Sequence, residues 1–188
     1  MKKLGTDYLD LYLIHWPANR KQFGDAAKAL NADTWRALED LYTAGRIKAI
    51  GVSNFLPHHL EELLETARIK PMVNQIEFHP GWAQLETAAY CQKLGMVVEA
   101  WGPLGHKAVL QNETLQKLAE KYGKSTAQLC VRWVLQHGLL PLPKSVNPGR
   151  MQQNLEVFDF EIDERDMRTI DALQNIGGEC AKPDEVDF

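Results

Sequence analysis

The chain has 188 residues, of which 45% are hydrophobic and 24% are charged, and its formal net charge is -4. This composition is typical of a soluble globular protein, and we expect one domain over residues 1–188. The negative charge argues against a nucleic-acid partner, because phosphate backbones are bound by clustered Lys and Arg, and it favours a small-molecule partner.

The first part of the chain alternates short β-rich runs with amphipathic segments. The apolar spacing predicts strands at 9–15, 49–53 and 72–77, with helices at 33–42 and 60–68 between them. Residues 19–24 are expected to be a polar connection. Gly45 is expected to end the first helix, because glycine adopts the left-handed conformation that follows many helix C-termini.

The same alternation continues to the C-terminal region. Helices are predicted at 85–94, 112–122 and 126–136, and strands at 96–100 and 139–142. A short helix should start near Pro148, and Asp163 should cap a last helix that ends near residue 174. We expect 177–188 to be loop.

Five such strand–helix units imply a parallel sheet covered by helices, which is the α/β class. A closed barrel of eight units typically needs about 250 residues, so this chain supplies only part of one. An open doubly wound sheet would fit the length, but the Gly-x-Gly-x-x-Gly turn that usually follows its first strand is absent. If the chain binds a dinucleotide, another structural element must take the place of this glycine-rich turn.

His15 ends the first predicted strand and is followed by Trp16. The carboxyl end of a parallel strand is where the loops of a barrel or open sheet build the active site. His15 is therefore a candidate catalytic residue. A structural histidine is the ordinary alternative, and Trp16 could either line a substrate pocket or cap the rim.

Two sequence features concern the compartment. Cys91, Cys130 and Cys180 are widely spaced and odd in number, which fits neither a disulfide framework nor a zinc motif and favours a reducing cytoplasm. No stretch approaches the roughly 20 apolar residues of a membrane span, and Asp7 and Asp10 interrupt the apolar run that a signal peptide would need.

Four motifs together resemble the aldo-keto reductases, which are NADPH-dependent carbonyl reductases on an eight-unit barrel. They are LGTDYLDLYLIHWP at 4–17, GVSNF at 51–55, NQIEFHP at 74–80, and PKS at 143–145 with Arg150 and Asn154. Their order and spacing are similar to those of the family, in particular of bacterial reductases of small aldehydes or diketogluconate. The resemblance implies a (β/α)8 TIM-barrel family member of which the fourth to eighth units, with an extra C-terminal helix, are present.

The resemblance also implies a catalytic tetrad of Asp, Tyr, Lys and His, of which only the histidine, His15, has a match here. The remaining three would belong to the first three units, which we expect to be missing from this chain. No other tyrosine is a clear replacement: Tyr12 lies three positions from His15, on the opposite face of the predicted strand. Carbonyl reduction by this chain alone is therefore not expected.

The cofactor side of the family site is implied by residues that are present. The set is Ser53, Asn54, Gln75, Trp101, Gly102, Leu104, Lys144, Ser145, Val146, Asn147, Arg150 and Asn154. By resemblance, the first three hold the nicotinamide carboxamide and Trp101 stacks on its ring, although the family often has Tyr-Ser at 101–102. Lys144 and Arg150 would meet the 2'-phosphate of NADPH, a role that suits a point charge and a planar fork.

The remaining histidines at positions 58, 59, 79, 106 and 137 have no metal-ligand spacing, and we expect surface or loop histidines and no metal site. Glu61, Glu62 and Glu65 are expected to form a solvated helix face.

Three hypotheses follow for the molecule. It is an NADPH-dependent reductase of a small aldehyde or ketone represented by an incomplete chain, or an inactive NADP-binding fragment, or an interaction protein that pairs through open strand edges.

Overall fold

The computed structural model describes residues 2–187, and for Lys2 the backbone only. Its strands are β1 Tyr12–Ile14, β2 Ile50–Ser53, β3 Val73–Glu77, β4 Val97–Trp101 and β5 Leu140–Leu142. Its α-helices are α1 Arg20–Phe23, α2 Ala27–Thr43, α3 Pro57–Leu64, α4 Leu85–Lys93, α5 His106–Leu110, α6 Glu113–Lys121, α7 Thr126–Gln136, α8 Pro148–Leu155 and α9 Glu164–Asp171. Short 3-10 helices occupy Lys2–Leu4 and Gly24–Ala26.

The chain divides into two compact units. The first comprises Met1–Gln75, Glu86–Val97 and Ala181–Phe188. In it, β2 pairs in parallel with β1 and with β3, and Ile14, Val52 and Asn74 lie in register. Because parallel strands in register end at the same edge, the residues that follow β1, β2 and β3 emerge together.

The core of the first unit is built from apolar side chains of the strands and of α2 and α3. Ile50, Val52, Phe55 and Leu60 are fully buried. Trp35 of α2 is also buried, and its indole N–H donates a hydrogen bond to the Ile69 carbonyl at 2.9 Å. This bond satisfies the indole N–H, and buried tryptophan side chains usually have a hydrogen-bond partner for this group.

The second unit comprises Ile76–Leu85 and Val98–Cys180. In it, β4 and β5 pair in parallel, with Trp101 opposite Leu142 at their carboxyl ends. The buried ring of Phe78 stacks on Trp133 of α7, with ring centroids 4.8 Å apart. The residues that follow β4 and β5 therefore lie at the carboxyl edge of the sheet in this unit.

The predicted alternation of strands and helices is confirmed, with differences at the boundaries. The predicted strand at 9–15 is only Tyr12–Ile14, because Leu9 makes an isolated bridge to Ile47 and residues 10–11 leave the ladder. Helix α2 starts at Ala27, six positions before the predicted start at 33. Helix α3 begins at Pro57, where proline is preorganised for a first turn, and ends at Leu64.

The polar connection predicted at 19–24 is a short helix instead. Asn19 caps α1 by accepting a hydrogen bond from the Gln22 backbone N–H at 2.9 Å. A four-residue helix is too short for an apolar period to reveal it. Asp163 caps α9 as predicted, accepting from the Asp166 N–H at 2.8 Å.

The loop predicted at 177–188 is confirmed for 177–187, and Phe188 lies outside the described residues. Its last part is fastened to the first unit. The Asn19 side-chain amide donates to the carbonyls of Pro183 and Val186 at 3.1 and 2.9 Å. A carboxylate oxygen of Asp184 lies 3.0 Å from Nε2 of both His58 and His59.

The first unit is expected to lose about 2 kcal/mol of unfolding free energy between about pH 7 and about pH 5 through His59. Burial lowers the pKa of this histidine from 6.5 to about 4, and His58 adds to this, outweighing Asp184 and Glu62. Because the folded-state pKa is the lower one, the unfolded chain takes up the proton first. The contribution of neutral His59 to the free energy of unfolding is fully present above about pH 6.5 and decreases as the pH falls towards 4.

Urea unfolding across this pH range tests the effect. His59→Gln should flatten the pH dependence, whereas His106→Gln, at an exposed position in the second unit, should leave it unchanged. An equal slope in both variants would show that another group is responsible.

Within residues 2–187, none of the helices combines the length and the apolar composition that crossing a membrane requires.

Candidate functional site

In the first unit, polar side chains gather where β2 and β3 end. The Ser53 hydroxyl donates a hydrogen bond to the Gln75 backbone carbonyl at 2.7 Å, and the Asn54 backbone N–H donates to the same oxygen at 2.8 Å. Ser53 and Asn54 are buried and Gln75 is half-buried. The backbone thereby fixes three of the predicted cofactor residues beside one another.

Asn54 ties this cluster to the end of β1. Its φ is 62°, a left-handed conformation that asparagine tolerates better than most residues. In this conformation its side-chain amide donates to the His15 carbonyl at 3.0 Å and to the Ser53 hydroxyl oxygen at 3.1 Å. The loop that carries His15 is therefore held to the strand end by a side chain.

His15 itself is exposed, and Trp16 is half-buried. Their ring centroids are 6.3 Å apart with the planes tilted by 49°. The structure places His15 at the carboxyl edge with Ser53, Asn54 and Gln75, as expected from the strand ends. An exposed imidazole at this edge can offer a hydrogen bond to a polar ligand, and the adjacent indole offers an apolar surface.

The second unit has a groove of about 650 Å³ at the carboxyl ends of β4 and β5. Its walls come from the turn 102–105, from α5, from the loop 143–146 after β5, and from α8. The groove thus has a polypeptide turn on one side and a helix on the other. Its volume is in the range of small-molecule and cofactor sites.

Most of the predicted cofactor residues of this unit line the groove. They are Gly102, Leu104, Lys144, Ser145, Val146, Arg150 and Asn154. Trp101, at the end of β4, and Asn147 are not part of its lining. Gly102 and Gly105 have φ values of 61° and 49°, which glycine adopts without steric cost, so the turn keeps its backbone open to the groove.

Lys144 and Arg150 give the groove a positive rim. Both side chains are exposed, and within the described part of the chain neither has a carboxylate within salt-bridge distance. Asn147 begins α8 by accepting from the Arg150 backbone N–H at 3.1 Å, and its own N–H donates to the Ser145 hydroxyl at 3.1 Å. Two cations beside a helix start are suited to an anionic group such as a phosphate.

Several groove residues were not predicted from the sequence. Helix α8 also contributes Gln153, and the start of α7 contributes Ser125 and Ala127. His106 and Leu110 come from α5, a helix that the sequence pattern did not reveal. For one of these residues, Gln153, the sequence did contain a signal, because it is next to the predicted cofactor residue Asn154.

The prediction of surface or loop histidines is wrong for His59, which lies in α3, is 6% exposed and packs against Asp184. His79 lies in the loop after β3, as the prediction allows, but it is completely buried. His79 lies 3.4 Å from a carboxylate oxygen of Glu77, which is itself buried. Burial alone would raise the pKa of Glu77, but His79 and the backbone N–H groups of Glu179 and Cys180 outweigh it and lower that pKa.

The expectation of a solvated glutamate face on α3 is also incomplete. Glu62 pairs with Arg20 at 2.6 Å, and Glu65 pairs with Lys28 at 2.6 Å. These are exposed ion pairs, which contribute little to stability.

Comparison with known proteins matches the chain to a family and to a curated relative. The model of the Aldo/keto reductase family matches residues 1–175. The glyoxal reductase of Bacillus subtilis is 51% identical over 188 residues, which are 100% of this chain and 65% of that protein. The chain therefore spans just under two thirds of the length of that relative.

Solved structures agree with this match. The apo form of Gox0644 superimposes with a TM-score of 0.87 at 40% identity, covering 100% of this chain and 67% of the other. A Gox0644 variant in complex with NADPH gives a TM-score of 0.85 at 42% identity, covering 97% of this chain and 65% of the other.

Proposed function

Because this chain belongs to the aldo/keto reductase family, as its motifs predict, we propose that it carries the NADPH-binding residues and the carbonyl-orienting histidine of a reductase of small aldehydes or ketones. The observation that carries the proposal is the groove of the second unit, with Lys144 and Arg150 at its rim and no carboxylate partner for either among residues 2–187. The NADPH complex of a structural relative supports the choice of cofactor.

The groove residues suit the adenosine end of NADPH. Lys144 and Arg150 would hold the 2'-phosphate, with Ser145 and Asn147 adding hydrogen bonds and Asn154 meeting the adenine. The turn at Gly102, with Leu104, would admit the pyrophosphate, because its glycines keep the backbone accessible. Val146 is 86% exposed and would cover the bound ligand.

The residues at the edge of the first unit suit the nicotinamide carboxamide. The Ser53 hydroxyl donates its proton to the Gln75 carbonyl and accepts from the Asn54 amide, which leaves one lone pair of its oxygen for an amide N–H. The Gln75 side chain carries both a donor and an acceptor. Trp101 would stack on the nicotinamide ring, and NADPH, when bound, supplies the hydride.

His15 and Trp16 would contact the substrate. The imidazole would donate a hydrogen bond that orients the carbonyl, and the indole would form an apolar wall beside it. The 188 residues contain no counterpart of the family's Asp, Tyr and Lys, so we expect this polypeptide to bind NADPH and substrate without completing the reduction.

Arg150→Ala is expected to weaken NADPH binding about 10- to 100-fold and NADH binding little, because one charge-assisted contact to the 2'-phosphate is lost. Quenching of tryptophan fluorescence measures both affinities. The matched control is Arg165→Ala, which removes an equal charge from exposed α9. Equal losses for NADPH and NADH would contradict the role of Arg150, and absence of NADPH binding by the wild type would contradict the proposed function.

A second function, pairing through strand edges, is favoured by exposed apolar residues on the terminal strands. In the first unit Tyr12 of β1 is 48% exposed, and in the second unit Leu140 and Leu142 of β5 are 48% and 39% exposed. Unpaired edges with apolar side chains are templates for association with another chain.

The chain is therefore expected to self-associate, and Leu140→Lys should shift it towards the monomer. Light scattering over a concentration series measures the state. Phe158→Lys, which places the same charge at another exposed apolar position, is the control and should leave the oligomer unchanged. A wild type that is monomeric at every concentration would contradict edge pairing.

A further inference from the structure

Three metal-ligating side chains converge in the second unit. Glu77 ends β3, His79 follows two residues later, and Cys180 comes from the C-terminal segment. A carboxylate oxygen, an imidazole nitrogen and the thiol sulfur all lie within 4.8 Å of one another. Glu77 is 2% exposed and His79 is 0% exposed.

The tautomer of His79 is fixed by its neighbour. Its Nδ1 lies 2.9 Å from the Pro80 carbonyl oxygen, which can only accept, so Nδ1 carries the proton. In the neutral ring, Nε2 then presents a lone pair. This atom is buried and forms no hydrogen bond with any described group, although the Glu77 Oε1 atom is only 3.4 Å away.

The two atoms are arranged to share a cation. The buried Nε2 atom and the Glu77 carboxylate oxygen lie 3.4 Å apart, and a positive ion between them would be attracted to both in the low dielectric of the interior. The Cys180 thiol lies beside them and provides a third ligand that a metal can use.

We propose that Glu77, His79 and Cys180 bind a Zn²⁺ ion through Oε1, Nε2 and Sγ. Zn²⁺ takes carboxylate, imidazole and thiolate ligands at about 2.0–2.3 Å, which places tetrahedral ligands about 3.3–3.8 Å from one another. The observed Nε2–Oε1 distance of 3.4 Å lies in this range. The Cys180 thiol now donates a hydrogen bond to the Gly177 carbonyl at 3.1 Å, and it would give up this bond when it binds the metal as a thiolate.

The surroundings match those of a metal site. A ligating histidine usually donates its other N–H to a carbonyl or carboxylate, as His79 does to Pro80. The Glu77 carboxylate is oriented by the backbone N–H groups of Glu179 and Cys180 at 2.7 and 2.8 Å. The Gly178 backbone packs against this pair, because a Cβ there would lie 2.1 Å from Nε2.

The other histidine–carboxylate cluster provides a contrast. In the first unit, His58, His59 and Asp184 also bring three ligand atoms together. The Leu56 backbone N–H, however, donates to His59 Nδ1 at 3.2 Å, so Nε2 carries the proton that is shared with Asp184. This ring has no lone pair for a metal, which makes the cluster a suitable negative control.

The proposed ion would have a structural role. It would join the C-terminal segment to the end of β3, across 103 positions of sequence, in addition to the two backbone hydrogen bonds already there. Zinc that binds only the folded state raises its stability.

The test uses the full 188-residue chain after removal of metal with a chelator. Co²⁺ is added as a spectroscopic probe, since a Co²⁺–thiolate bond gives a near-ultraviolet charge-transfer band and a tetrahedral site gives intense visible bands. We expect one equivalent to produce both, and Zn²⁺ to displace it. Cys180→Ser should remove the charge-transfer band and weaken Zn²⁺ binding at least about 10- to 100-fold.

Two matched variants and one wild-type measurement complete the test. Cys130→Ala, at a buried thiol elsewhere, and His58→Gln, in the contrasting cluster, should keep the cobalt spectrum. In the wild type, Zn²⁺ should protect Cys180, the one cysteine of the three that is not buried, from a thiol reagent. A wild-type spectrum without the thiolate band, or no protection of Cys180 by Zn²⁺, would overturn the proposal, whatever the folding of the variants.

Discussion

Purified as the 188 residues of this sequence, the protein is expected to bind NADPH and to reduce aldehydes and ketones at a rate lower by at least about 10²–10⁴-fold than the glyoxal reductase to which it is similar. Hydride addition to a carbonyl creates an alkoxide, which needs a proton from a positioned acid. His15 would orient the carbonyl without replacing that acid.

Three of the tyrosines, Tyr12, Tyr90 and Tyr122, are not expected to supply the acid. Tyr12 lies on β1 at three positions from His15, so its side chain leaves the opposite face of the strand. Burial raises the pKa of Tyr90 and of Tyr122, and the Asp166 carboxylate raises that of Tyr122 further. A raised pKa moves a phenol away from the range in which it transfers protons near neutral pH.

NADPH absorbance, followed with a panel of small aldehydes and ketones, measures the activity, and the Bacillus subtilis relative serves as the positive control. Turnover that scales with the concentration of this chain and disappears in His15→Ala would contradict the expectation. Tyr12→Phe would then test whether the remaining β1 tyrosine acts as the acid.

Gly51→Ala is expected to lower the free energy of unfolding by about 3 kcal/mol, at the upper end of overpacking effects. A Cβ at this position would lie 2.5 Å from the Val73 backbone oxygen and 2.7 Å from Leu13 Cδ2. Because β2 pairs with both β1 and β3, the backbone cannot move away from one contact without disturbing the other ladder.

The same glycine positions the candidate site, because Ser53 and Asn54 follow it on the same strand. Gly51→Ala should therefore also weaken NADPH binding, in proportion to the displacement of the strand end. Chemical denaturation and fluorescence quenching measure the two effects. Gly149→Ala, whose Cβ would meet only the Asn147 side chain at 3.3 Å, is the control and should change stability by less than about 1 kcal/mol. Similar stabilities for the two variants would show that the strands tolerate the methyl group.

Much of the fold was predictable because apolar periodicity is a local property. The strand at 72–77 and the helix at 126–136 were placed almost residue by residue, since each is longer than one period of its pattern. Helices α1 and α5, of four and five residues, were missed because neither is long enough to show a period. The early start of α2 was missed because Ala27 and Asn31 are buried without extending an obvious apolar stripe.

The groove residues were predicted from the resemblance and not from periodicity. Lys144 and Arg150 alone would be ordinary exposed charges. What distinguishes them in the structure is that they share a groove with the turn at Gly102 and are not neutralised by a carboxylate among the described residues. Gln153 and Ser125 line the groove because of the way α8 and α7 pack, and this packing cannot be read from the spacing of residues in the sequence.

The α/β class, the order of the strands and helices, and the strand ends that carry His15, Ser53 and Gln75 can be read from the sequence, because these depend on neighbours within a few residues. The position of the C-terminal segment depends instead on tertiary contacts. That segment has no periodicity, and its position depends on Asn19 in one unit and on Glu77 in the other, through hydrogen bonds between residues more than 100 positions apart. The burial of His79 beside Glu77 and Cys180 follows from that long-range packing, and it places a histidine that the sequence assigns to the surface or a loop at the centre of a proposed metal site.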